Sequence, residues 1–172
     1  AHEMEVKANC RNAQVVFDLF HVVAKYGREV IDRVRVDEAN RLRDDKSSRR
    51  IIKSARWLLL RNRENIPREE DRVRLDELLD ANKTLMTVYV LRDELKHLWD
   101  FRSRGHALRH WNQWYGHAVR SQIDPLRRFA KRLKTYLHGI LSHCTYALHT
   151  SLLEGINNKI KVIKRMAYGF RD

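Results

Sequence analysis

The sequence predicts a mainly α-helical protein, a multi-helix bundle with one short strand near the N-terminus. Three observations predict it. Apolar residues recur at steps of three and four through most of the chain after Leu19. Only 6 Gly and 2 Pro occur in 172 residues, too few for the many tight turns of an all-β protein. Apolar residues make up 43%, enough for a buried core, and the length suits one domain or a large piece of one.

The elements follow in order. Gln14-Val15-Val16-Phe17-Asp18 is a β-branched and aromatic run that reads as a buried strand ending in an acid. A strand cannot stand alone, so its partners must come from elsewhere. From Leu19 to about Arg43, Val23, Tyr26, Val30 and Val34 mark a long helix. A second helical stretch covers residues 49–61 and contains Trp57. The next runs from Pro67, at the first helical position, to Asp80, with Glu69-Glu70-Asp71 where the macrodipole favours acids. Leu85, Val88, Leu91, Leu95 and Leu98 line one face of a helix stopping near Gly105, and another spans His106 to about Arg120. Asp124-Pro125 reads as N-cap and first position of a helix through Leu141, and Thr150 or Ser151 starts the last.

The formal net charge is +13, and the pI near 10.1 calls for a polyanionic partner, nucleic acid or an anionic membrane surface. The charge is segregated. Arg41 to Arg63 holds nine basic and two acidic residues, whereas Glu64 to Asp80 holds seven acidic and three basic. On the Pro125–Leu141 helix, Leu126, Phe129, Ala130, Leu133, Leu137, Ile140 and Leu141 make an apolar face. Arg127, Arg128, Lys131, Arg132 and Lys134 fill the other side with no acid among them. A merely solvated face would mix signs, so these five point to phosphate contact. No apolar run approaches a bilayer-spanning length, and no secretory leader is visible. Cys10 and Cys144 make no disulfide framework, so a cytoplasmic setting is expected.

The terminal helix concentrates the chemistry. Leu152, Leu153, Ile156, Ile160 and Ile163 share one face, and Glu154, Asn158, Lys161 and Arg165 form a stripe opposite, with Lys164 beside it. Glu154 has no basic residue at i+3 or i+4. Two readings are open and compatible: a capping box with Ser151, or a carboxylate for a hard divalent cation. Asp18 and His21 sit where a strand passes into a helix, as an N-cap with a neighbouring imidazole or as the edge of a site. His106, His110 and His117 share a stripe, but no well-placed carboxylate accompanies them and Arg104 and Arg109 are close, which argues against zinc. Trp57, Trp99, Trp111 and Trp114 read mostly as core, one of them being able to stack on an unpaired base. No glycine-rich phosphate loop or nucleophile elbow occurs.

The string from Thr150-Ser151-Leu152-Leu153-Glu154-Gly155-Ile156-Asn157-Asn158-Lys159-Ile160-Lys161 through Lys164-Arg165-Met166-Ala167-Tyr168-Gly169-Phe170-Arg171-Asp172 closely resembles the C-terminal signature of bacterial insertion-sequence DDE transposases of the ISL-three type. Val16-Phe17-Asp18-Leu19-Phe20-His21, Ser54-Ala55-Arg56-Trp57-Leu58 and Pro125-Leu126-Arg127-Arg128-Phe129-Ala130 resemble upstream parts of the same family. The resemblance implies a ribonuclease-H-like fold carrying a helical insertion. Residues 1–45 would hold its last strand and following helix, 46–148 the insertion, and 149–172 the helix bearing the third acid.

It further implies that Glu154 is that acid, a ligand of Mg²⁺ or Mn²⁺, with Asp18, His21 and Asn158 beside the site. Lys161, Lys164 and Arg165 would then join the Pro125–Leu141 cations on DNA. The first two aspartates would precede residue 1, so this chain alone is expected neither to hold the metal nor to cut DNA. The other expectations from the residues are a freestanding helical DNA-binding module and a homodimer joined through its apolar faces.

Overall fold

A computed structural model describes residues 8–10 and 12–146, and these form a helical bundle. Helix α1 (Leu19–Tyr26) runs through a π turn (Gly27–Ile31) into α2 (Asp32–Arg41). Next come α3 (Lys46–Ser54), α4 (Arg56–Leu60), a 3₁₀ turn (Arg63–Asn65), α5 (Glu69–Ala81) and α6 (Lys83–Lys96). A 3₁₀ turn (His97–Asp100) leads to α7 (Arg104–Arg120), followed by α8 (Asp124–Thr135), α9 (Leu137–Leu141) and a last 3₁₀ turn (Ser142–Cys144).

The long α1–α2 helix forms the axis, and α3, α4, α6 and α8 all pack on it. Tyr26 shows how. Its ring meets Phe129 of α8 edge-on at 5.2 Å, and its hydroxyl donates to Val88 O of α6 at 2.8 Å. Burial pushes this phenol well above its ordinary pKa, so it stays a donor. A Cβ on Gly27 would lie 2.8 Å from Leu60 Cδ2, so glycine lets α4 approach the axis closely. All five apolar positions expected on α6 and the following turn are buried, as are Leu126, Phe129, Ala130 and Leu133 of α8.

Side-chain caps set three of the helix starts. Asp18, Asp45 and Asn82 accept from Phe20 N, Ser48 N and Leu85 N, satisfying donors that the first turn leaves open. Pro67 lies before α5 rather than in it: Arg68 is the N-cap, and the three acids fill the first turn. The helix foreseen from Asp124 to Leu141 breaks at Tyr136, whose ψ of 5° leaves the α region. Asp124 is the first residue of α8 and Ile123 its cap. The helix foreseen over residues 49–61 is likewise divided, at Ala55.

The expected strand at residues 14–18 is not formed among the described residues, which have no strand partner to offer it. Helical neighbours take over the backbone instead. Phe17 N–H donates to Gly139 O at 3.0 Å, and the Trp99 indole N–H donates to Phe17 O at 3.2 Å. The Phe17 ring packs against Gly139, where a Cβ would come within 2.5 Å of it. Gly139→Ala should therefore cost about 1–3 kcal/mol, the penalty of overpacking a filled site. A urea midpoint that does not move would show that Phe17 is not seated there.

Candidate nucleic-acid interface

Asp18 is held at the head of α1. One carboxylate oxygen accepts from Phe20 N at 2.6 Å, and the other pairs with His21 Nδ1. His21 is 84% exposed and Phe20 62%, so both face solvent beside the cap. Asp18 and Phe20 border an open cleft of about 640 Å³ whose other polar walls are Arg28, Arg56, Arg92 and Lys96. Arg56, Arg92 and Lys96 are paired with Asp32 and Asp93, so Arg28 alone of the four is without an ion pair to a described residue, over the apolar floor of Leu19, Val23, Ala24 and Leu60.

These four cations were not singled out from the sequence. Arg92 carried the clearest signal, since it lies four residues after Val88 and three before Leu95 on the buried face of α6. It is 1% exposed and donates to Leu59 O at 2.6 Å, Arg61 O at 2.9 Å and Asn62 Oδ1 at 3.3 Å. The guanidinium thus closes the C-terminal end of α4, where the helix dipole is negative. Arg56 is tied to Asp32 at 2.8 Å, and Lys96 to Asp93 at 2.5 Å. Arg28 is exposed and has no hydrogen bond or ion pair with another described residue.

The basic face of α8 is present but unequal. Arg127 reaches Asp124 at 3.4 Å, Arg132 pairs with Glu29 of the π turn, and Lys134 sits 5.3 Å from the centre of the Tyr115 ring. Arg128 and Lys131 are exposed and carry no ion pair with a described residue, which leaves them available to phosphates. The acid partners of Arg127 and Arg132 come from just before the basic run and from a distant turn. A wheel of residues 125–141 could not reveal them.

Other constellations resolve into structure. His110 Nε2 meets Glu94 O at 2.7 Å, and His117 Nδ1 lies 3.7 Å from the Glu94 carboxylate. Among the described residues no group of three or more His, Cys, Asp or Glu side chains could hold a metal ion. Asp18, whose oxygens go to its helix and to His21, does not by itself fit a divalent cation. Cys144 Sγ lies 3.5 Å from His143 Nε2, but it donates to Phe101 O, and burial raises its pKa, which favours the thiol. Glu154, Asn158, Lys161, Lys164 and Arg165 lie outside the described residues. No helix among the described residues is long and apolar enough to cross a membrane.

The described residues thus form a helical bundle with unpaired cations on its surface. Comparison with known proteins defines it further. The family model for DDE transposases of the ISL3 type, described as Transposase, matches residues 2–172. The chain belongs to that family. It is 63% identical, over all 172 residues, to the transposase for insertion sequence element IS1001 of Bordetella parapertussis, of which it covers 42%. It is 29% identical over 125 residues, 72% of its length, to the transposase for insertion sequence element IS1557 of Mycobacterium tuberculosis, of which these residues cover 27%. The chain thus spans about two fifths of the first relative's length. No solved structure matches it.

Proposed function

We propose that this chain supplies the C-terminal part of the catalytic region of a bacterial DDE transposase, with Glu154 as its third acid. The observation that carries the reading is the family match over residues 2–172, which takes in the whole Glu154 string. On this reading residues 1–45 belong to a ribonuclease-H-like core, 46–148 to a helical insertion and 149–172 to the glutamate helix.

When bound, a Mg²⁺ or Mn²⁺ pair would neutralise charge on a DNA phosphate. This chain's own part is to present Glu154 toward that ion, with Asp18, His21 and Asn158 flanking it. Lys161, Lys164 and Arg165 would hold the neighbouring phosphates. Arg128 and Lys131 of α8 bind duplex DNA without regard to sequence, aided by Arg127, Arg132 and Lys134 where their internal partners give way. The protein works on bacterial DNA at the nucleoid. The 172-residue chain alone binds DNA and does not cut it, because three carboxylates are needed and it brings one.

A titration of duplex DNA against salt tests the binding. The affinity should fall steeply as salt rises, and Arg128→Glu with Lys131→Glu should flatten the log–log slope by about two. No binding at low salt, or no response to the charge reversals, overturns the reading. Light scattering in the same samples decides the homodimer alternative: 20.6 kDa speaks against it, and twice that mass for it.

A further inference from the structure

We propose that Trp57, with the cations around it on α3 and α4, forms a stacking site for an unpaired base of DNA; this rests on the DNA-binding reading above. Trp57 stands apart from the other tryptophans. Trp111 and Trp114 are buried, and Trp99 is partly buried with its indole N–H committed to Phe17 O. Trp57 is 40% exposed, and its indole N–H has no partner among the described residues. A large ring left in water on a folded helix is what a base needs, since every base has an apolar face to lay on it.

The surroundings supply the backbone contacts. Lys46, Arg50 and Lys53 lie on α3, the helix that leads into the short helix carrying Trp57. All three are exposed, and none has an ion pair with a described residue. The Arg61 guanidinium lies 5.1 Å from the Trp57 ring centre. No acid occurs from Lys46 to Arg63. Arg56 is paired with Asp32 and Arg63 with Asp76 at 2.7 Å, whereas Lys46, Arg49, Arg50, Lys53 and Arg61 have no ion pair with a described residue. Charge has thus been left uncompensated along the segment that also bares the aromatic ring.

The rest of the packing selects a nucleotide over a lipid surface. A helix lying on a bilayer inserts a whole apolar face. The apolar face here, Ile52, Ala55, Leu58 and Leu59, is buried in the bundle, leaving only Ile51 and Trp57 exposed. Paired bases keep their faces against one another, so the site takes bases that have left the duplex, as at a strand end or an opened junction.

Fluorescence anisotropy on the 172-residue chain tests this, with an oligothymidylate of about 20 nucleotides and a duplex of equal length as probes. Trp57→Ala should weaken the single strand about tenfold and the duplex less than twofold, and Trp57→Phe should restore most of the loss. Binding of the oligothymidylate should quench tryptophan fluorescence, and Trp57→Phe should remove that quenching. Far-UV circular dichroism confirms that the variants are folded. If wild type binds duplex but Trp57→Ala leaves the single strand within twofold, or weakens both probes alike, stacking is wrong and the DNA reading stands. If the chain binds neither probe, both fail. Binding to phosphatidylserine vesicles with no binding of oligothymidylate also overturns the proposal, in favour of a membrane surface.

Discussion

Replacing Arg92 with alanine is expected to destabilise the fold by about 3–4 kcal/mol. The expectation follows from what the guanidinium does at 1% exposure: it is the donor for Leu59 O, Arg61 O and Asn62 Oδ1 where α4 ends. Removing it strips Leu59 O of its buried donor, at about 1–3 kcal/mol, and leaves a cavity where a large buried side chain was, while Arg61 O keeps the Tyr89 hydroxyl and Asn62 Oδ1 keeps Lys96. It also removes the cation 4.6 Å from the centre of the Tyr89 ring. Arg92→Lys should recover only part of the loss, because one ammonium cannot reach carbonyls placed for a planar fork. Urea unfolding followed by circular dichroism reads the effect. A midpoint within about 0.5 kcal/mol of wild type would show that water satisfies the α4 carbonyls equally well. Because Arg92 also walls the cleft beside Asp18, DNA binding should be compared only where the variant is folded.

How much of this was legible in the sequence depends on the range of the interaction. Helices came through because burial forces a period of three to four: Leu85, Val88, Leu91, Leu95 and Leu98 are all inside. Asp18 was legible as an N-cap because capping is local, and its carboxylate does accept from Phe20 N. The run Val15-Val16-Phe17 has the composition of a strand, yet composition cannot provide a partner. Among the described residues its backbone is taken by Gly139 O and the Trp99 indole, 122 and 82 residues further along. The division of the basic helix at Tyr136 was invisible, since residues 125–141 keep one apolar period across it. The candidate interface was half legible. The wheel found the α8 cations, but which of them are spent on Asp124, Glu29 and Tyr115 depends on the tertiary fold. The family, by contrast, was readable from the Glu154 string, and the match over residues 2–172 bears it out.

The decisive question is whether Glu154 acts in DNA chemistry. Placing residues 1–172 in exchange for the matched segment of the Bordetella parapertussis IS1001 transposase, 63% identical to them, gives a protein in which transposition can be counted. Glu154→Gln keeps size and capping capacity and removes the charge a divalent ion requires. Losing a group that merely supports a metal ligand costs about 10–100-fold, so losing a ligand should cost at least about a hundredfold. Transposition should fall by that factor with duplex binding unchanged. Transposition by the Glu154→Gln exchange protein at the level of its unsubstituted parent would contradict it.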